Sequence, residues 1–161
     1  MDNKGISFGK PKINLDKIRE WKNGIVGNLT GGLKILAKKR NVKIITGRGE
    51  FIDRNNICVK NSFDKKTFIS FENAVIATGS RPIRLPFLPD DKRIFDSTGA
   101  LEIKNIPSRL LIIGGGIIGL EMATVYHSLG SKISIVEMMD GLMLGADRDI
   151  VKPFQKLIEK K

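Results

Sequence analysis

Four apolar residues, Leu110 to Ile113, run directly into Gly114-Gly115-Gly116 and then Gly119. No other part of the chain restricts its fold as tightly. The apolar run reads as a buried strand, and beyond the glycines Ile118, Met122, Val125 and Leu129 recur at helical spacing until Gly130 stops the helix. "KISIVE" (132–137) then reads as a second strand. The stretch is a short βαβ unit whose second strand ends on an acid, Glu137.

In Gly114-x-Gly116-x-x-Gly119 each glycine has a physical task. Gly114 permits the tight turn, Gly116 lets the backbone approach a pyrophosphate, and Gly119 lets the helix pack closely on the strand. The free N–H groups and the positive dipole end of the helix then face phosphate. A carboxylate at Glu137 can accept hydrogen bonds from adenosine ribose hydroxyls and repels a 2′-phosphate. The unit therefore reads as a dinucleotide site. Met138-Met139-Asp140 follow Glu137 with no arginine among them, which favours NAD over NADP. FAD competes, because the same fingerprint serves both.

Composition narrows the class. The chain has 161 residues, 41% of them apolar, which suits one ordinary domain core or parts of two. No run approaches the roughly 20 apolar residues of a membrane helix, and the start, MDNKGISFGK, carries no secretory core. The expectation is a soluble cytoplasmic protein with no membrane contact. The single cysteine, Cys58, agrees with this and forbids an internal disulfide. A net charge of +11 raises nucleic acid as a partner. The lysines argue against it: they are spread from Lys4 to Lys161, and the densest cluster, Lys38-Lys39-Arg40, ends a helix, where cations are favoured. With one Tyr and one Trp there is no stacking platform, so no nucleic-acid role is expected.

Along the chain, Asn14-Leu15-Asp16 can cap a helix carrying Ile18, Trp21, Ile25 and Leu29. Thr30-Gly31-Gly32 is expected to loosen or kink it before Leu33, Leu36 and Ala37 continue the pattern to about Arg40. "VKIITG", ending at Gly47, reads as a short β-rich run, and "ICVK" and "TFISF" as two further stretches of a hairpin or meander. "NAVIATG" has a continuous apolar core, Ala74 to Ala77, that suits a strand buried on both faces. Pro82, Pro86 and Pro89 deny a helix to the next stretch, and Pro107 marks a second break. A boundary between two globular pieces is expected between Pro82 and Pro107.

These residues carry a resemblance. "LTGG", "VKIITGRGEF", "NAVIATGSRP", "DSTGALEIKNIPSRLLIIGGGIIGLEMATVYHSLGS" and "DRDIVKPFQK" occur in the order found in the dihydrolipoamide dehydrogenases, the flavin component shared by 2-oxo acid dehydrogenase complexes such as the pyruvate dehydrogenase complex. The resemblance covers essentially the whole chain. It implies an α/β fold made of parts of two Rossmann-like domains, FAD-binding and NAD-binding, with a small antiparallel β-meander. By that likeness residues 1–82 are the second part of the FAD domain, 83–107 a connection, and 108–161 the incomplete first part of the NAD domain. It assigns Gly114, Gly115, Gly116, Ile117, Ile118, Gly119, Leu120, Glu121 and Glu137 to NAD, and Gly47, Thr78, Gly79 and Ser80 to FAD. Glu121 would lie nearest the chemistry, at the nicotinamide end.

The departures also shape the expectation. Such enzymes carry a second Gly-rich unit for FAD, a Cys-x4-Cys redox pair, and a His-Glu pair that serves the partner's disulfide in a homodimer. None of these is found here, so the chain reads as an internal segment with no catalytic residue and no metal site of its own. Cys58 matches no redox cysteine and is expected to be a buried or edge thiol. His127, mid-helix, is expected to have a surface or packing role. The implied activity of the whole enzyme is oxidation of dihydrolipoamide, carried on lipoyl domains, with NAD⁺ through FAD. A glutathione or mercuric reductase of the same superfamily and a stand-alone nucleotide-binding module are the alternatives.

Overall fold

Asn14 begins the first helix: its side-chain oxygen accepts a hydrogen bond from the Lys17 N–H at 3.0 Å, satisfying one of the donors that a first turn leaves free. The computed structural model describes residues 9 and 11–160. The first eight residues, in which no secretory core was read, lie outside the described residues, as do Lys10 and Lys161. Helix α1 spans Leu15–Lys39 as one continuous element that runs through Thr30-Gly31-Gly32, where loosening or a kink is expected, to near the expected end at Arg40. The Thr30 hydroxyl is turned back on the Val26 carbonyl at 2.9 Å, which removes its competition for other backbone groups. The helix stops where Asn41 takes φ +55° and Val42 N–H reaches back to the Ala37 carbonyl at 2.9 Å, a left-handed C-terminal cap.

The chain divides into two units: Trp21–Arg81, and a second from Pro82 onward together with the described residues up to Glu20. In the first, β1 (Arg48–Phe51), β2 (Asn56–Lys60) and β3 (Lys66–Ser70) form an antiparallel meander in the order β1-β2-β3. Its turns are built by short polar side chains. Asp53 accepts from the Asn55 N–H at 2.8 Å, and Asn61 accepts from the N–H groups of Phe63 and Lys65, both at 3.0 Å. Phe51 and Phe71 meet edge to face, and Val59 on the central strand is the buried residue of this sheet.

Two sequence expectations in this unit need correction. "VKIITG" is not a strand; pairing begins at Arg48, where the backbone comes into register with Lys60. "NAVIATG" is neither a strand nor buried: Val75 is 93% exposed and Ile76 72%. An apolar run becomes an inner strand only with partners for its backbone N–H and C=O groups. Among the described residues no strand lies beside it.

In the second unit, β4 (Arg109–Ile113) and β5 (Lys132–Val136) pair in parallel, Arg109 opposite Lys132 through Ile113 opposite Val136, joined by α3 (Ile117–Ser128). The buried face of α3 is Leu120, Ala123 and Tyr126. Met122, Val125 and Leu129 are only half-buried and Ile118 is exposed, so the stripe lies one helix face away from the spacing chosen by apolarity alone. Small Ala123 and amphipathic Tyr126 concealed it. Tyr126 is 1% exposed, and its hydroxyl donates to the Ala100 carbonyl at 2.9 Å. Burial pushes that phenol's pKa upward. Ala100 belongs to α2 (Ser97–Leu101), a short helix capped by Asp96, which accepts from the Gly99 N–H at 3.0 Å. It lies within the stretch read as a connection. Helix α4 (Arg148–Ile158) closes the unit and buries Val151. No helix among the described residues is long and apolar enough to cross a membrane.

Candidate functional site

The turn from β4 into α3 is shaped residue by residue. Gly114 stands at φ +106°, a left-handed conformation that side chains avoid, while its N–H still extends the sheet to the Val136 carbonyl at 2.8 Å. Gly119 lies against the same turn: a Cβ there would be 2.3 Å from the Gly114 carbonyl oxygen and 3.3 Å from the Ile112 side chain. Only glycine lets α3 start this close to β4. Gly116 differs from both. A Cβ on it would meet nothing within 4 Å, so the structure itself does not demand glycine there. Gly116 is the N-cap of α3 and supplies no side-chain hydrogen bond, so no cap side chain takes up the first-turn N–H groups at the positive end of the helix.

Glu137, one residue beyond β5, reaches back to this turn. Its Oε2 accepts from the Gly115 N–H at 2.7 Å and its Oε1 from the Met139 N–H at 2.9 Å. The Met139 and Gly115 amides hold its carboxyl below the usual carboxylate range, so it is ionised at neutral pH. Each carboxylate oxygen retains a lone pair for a further donor. The site thus joins an anion-accepting helix end, an uncovered glycine and a fixed carboxylate. This donor set suits the pyrophosphate and ribose of a dinucleotide.

The remaining residues of the expected set fall into two groups. Ile117, Ile118 and Glu121 are exposed on the first turns of α3, whereas Gly115 and Leu120 are buried beneath them. Leu120 is a packing residue of the helix. In the other unit, Thr78, Gly79 and Ser80 are exposed, with Gly79 at φ +74° and open space where a Cβ would stand. Gly47 has a packing reason of its own: a Cβ there would lie 2.6 Å from the Lys60 carbonyl oxygen. Cys58 is a half-buried free thiol on the central strand β2, opposite Glu50 and Phe68. His127 is exposed. Among the described residues no group of three or more His, Cys, Asp or Glu side chains could hold a metal.

Sequence reasoning missed the loop after β5. The main chain of Met143 donates to the Gly115 carbonyl at 2.9 Å, and Arg148 folds back onto that loop, its Nη2 donating to the Met143 carbonyl at 2.7 Å. An arginine is therefore tied to the loop that bonds to Gly115, although none follows Glu137 directly in sequence. The available signal was a cation at the first position of α4, where the helix dipole disfavours it.

Comparison with known proteins gives a consistent picture. The family model described as pyridine nucleotide-disulphide oxidoreductase matches residues 4–161. The dihydrolipoyl dehydrogenase of Vibrio cholerae is 56% identical over 98% of this chain, and that of Haemophilus influenzae 48% identical over 98%; each alignment covers 33% of the relative. The corresponding figures for Geobacillus stearothermophilus dihydrolipoyl dehydrogenase are 40%, 98% and 33%. The chain thus spans about a third of the length of the curated relatives it matches. Among solved structures, a Cu(II) complex of the HOCl-induced flavoprotein disulfide reductase RclA from Escherichia coli matches with a TM-score of 0.78. It is 30% identical, over 89% of this chain and 33% of that one.

Proposed function

Because the chain belongs to the pyridine nucleotide-disulphide oxidoreductase family, we propose that it is the part of a dihydrolipoyl dehydrogenase that holds NAD and one side of FAD. The observation that carries this reading is the Gly114 to Glu137 unit, in which the turn is closed by Gly119 and left open at Gly116. In this reading residues 1–82 belong to the FAD domain, 83–107 connect, and 108–161 begin the NAD domain. Gly114, Gly115, Gly116, Ile117, Ile118, Gly119, Leu120 and Glu121 form the turn and helix end toward NAD, and Glu137 takes the adenosine ribose. Thr78, Gly79 and Ser80, with Gly47 nearby in sequence to β1, are assigned to FAD. The exposed, open Gly79 supports that assignment; Gly47 is already explained by its packing on Lys60.

Flavin and nicotinamide supply the two-electron hydride chemistry when bound. The residues of this chain bind and orient. The α3 N-terminus neutralises pyrophosphate charge with backbone N–H groups, and Gly116 permits the close approach. Glu137 fixes the adenosine end by accepting hydroxyl donors and excludes a 2′-phosphate by like charge. Glu121, exposed one turn into α3, is assigned to the nicotinamide side of the site. The electron donor is dihydrolipoamide carried on lipoyl domains of a 2-oxo acid dehydrogenase complex, and the complete enzyme works as a cytoplasmic homodimer.

The test compares two polypeptides. The complete enzyme is expected to reduce NAD⁺ with dihydrolipoamide. The 161-residue chain alone is expected to show no such turnover, because Cys58 is its single cysteine and cannot form a redox disulfide. Dihydrolipoamide oxidation by the isolated chain contradicts this reading. So does a complete enzyme that ignores dihydrolipoamide but reduces glutathione disulfide or mercuric ion.

A further inference from the structure

Helix α4 opens on Arg148, although a cation at the positive end of a helix dipole is unfavourable. Its guanidinium avoids that end by folding back. Nη2 donates to the carbonyls of Met143 at 2.7 Å and Ala146 at 2.9 Å, and Nε donates to Ala146 at 3.3 Å. Ala146 N–H also donates to the Met143 carbonyl at 2.9 Å. Met143 is thereby held at φ +50°, a left-handed conformation that a residue with a side chain keeps only when its surroundings impose it.

That conformation has a recipient. Met143 N–H donates to the Gly115 carbonyl at 2.9 Å, while Gly115 N–H donates to Glu137 at 2.7 Å. Both backbone groups of Gly115 are therefore taken, one by the loop and one by the carboxylate. Leu142 covers the same residue, since a Cβ on Gly115 would stand 2.4 Å from its side chain. Gly141 in turn makes room for the guanidinium: a Cβ there would lie 2.7 Å from Nη1 of Arg148.

We infer that Arg148 is a positioning residue for the adenosine-ribose end of the dinucleotide site, bracing the 139–147 loop against Gly115 so that Glu137 keeps the orientation a ribose diol needs. The inference rests on reading the Gly114 to Glu137 unit as the NAD site. Nε and Nη2 of Arg148 donate to main-chain carbonyls of the loop, so the part inferred for it is bracing the loop, not holding the ligand directly. Its influence on the ligand passes through Met143 and Gly115.

Steady-state kinetics of the complete enzyme test this. Arg148→Ala is expected to raise the KM for NAD⁺ roughly three- to tenfold, the worth of about one net hydrogen bond. The kcat, the KM for dihydrolipoamide and the FAD content should stay within about twofold. Gly141→Ala, which displaces the guanidinium while keeping its charge, should shift the NAD⁺ KM in the same direction, and Arg148→Lys should recover part of the loss. In a Glu137→Ala background the Arg148→Ala effect should vanish, because the brace then has nothing to orient. An Arg148→Ala effect undiminished in that background, or equal rises in both KM values, overturns the proposal. If Glu137→Ala leaves NAD⁺ kinetics untouched, the dinucleotide reading itself fails. If Glu137→Ala acts and neither Arg148→Ala nor Gly141→Ala does, only the brace fails.

Discussion

Replacing Glu137 by alanine in the complete enzyme is expected to weaken NAD⁺ use by roughly ten- to a thousandfold, with FAD content unchanged. Two losses combine. The ribose hydroxyls lose a charged acceptor, and the Gly115 and Met139 N–H groups lose the carboxylate that now holds them. Discrimination against NADP⁺ should relax at the same time, since the repulsion of a 2′-phosphate disappears with the charge. The pH dependence follows from the depressed pKa of this group. A carboxylate whose folded pKa lies below its unfolded value contributes fully above the ordinary carboxylate range and loses that contribution as pH falls through the lowered value. The NAD⁺ KM of the unaltered enzyme should therefore show no Glu137 titration between neutral pH and the ordinary carboxylate range.

Two glycines of the turn, Gly119 and Gly116, should respond differently to the same small change, and the contrast separates folding from binding. Gly119→Ala places a methyl 2.3 Å from the Gly114 carbonyl oxygen, so α3 must move off β4. Overpacking of this kind costs about 1–3 kcal/mol, and NAD⁺ binding should fail together with a lowered Tm. Gly116→Ala adds a methyl that meets nothing within 4 Å, at an ordinary φ of −77°. Stability should stay within about 0.5 kcal/mol of the unaltered protein. If Gly116 is where the pyrophosphate approaches, as proposed, the methyl stands in its way, and a displacement of about an ångström is enough for a loss on the order of a hundredfold in NAD⁺ use. Thermal melts beside NAD⁺ titrations check both. An unchanged NAD⁺ KM in a well-folded Gly116→Ala enzyme would show that no phosphate passes this turn.

How much of this was legible in the sequence depended on how local the physics is. The βαβ unit could be read because a strand, a glycine turn, a helix and a terminal acid each obey rules spanning only a few residues. Gly114 and Gly119 then took up their tasks through backbone conformation and close packing. Burial is not local. Ala74 to Ala77 look like an inner strand in composition, yet no strand lies beside them among the described residues, and Val75 and Ile76 stand exposed. The meander was read correctly as a motif. Its first strand falls at Arg48–Phe51 instead of within "VKIITG", because pairing with β2 and the contact of Gly47 with Lys60 set the start.

The candidate site divides along the same line. Glu137 was legible from its place at a strand end, but its grip on Gly115 and Met139 was not, since that depends on how the next loop folds back. Arg148, 11 residues further on, enters the site only through that loop. Helix α2 was hidden by its five-residue length, too short for periodicity to register, although Asp96 three residues before Gly99 was its capping signal. Thr78, Gly79 and Ser80 carry no chemistry that spacing alone could reveal. Their assignment to FAD came from family likeness.

Hydrogen–deuterium exchange of the complete, flavin-loaded enzyme with and without NADH tests the central claim most directly, because it reads backbone groups at both nucleotide sites in one sample. The account predicts added protection at Gly114 to Glu121 and at Glu137 to Met143, with Gly47 and Thr78 to Ser80 unchanged. Added protection confined to Gly47 and Thr78 to Ser80, with the Gly114 to Glu137 unit exchanging as before, would contradict it.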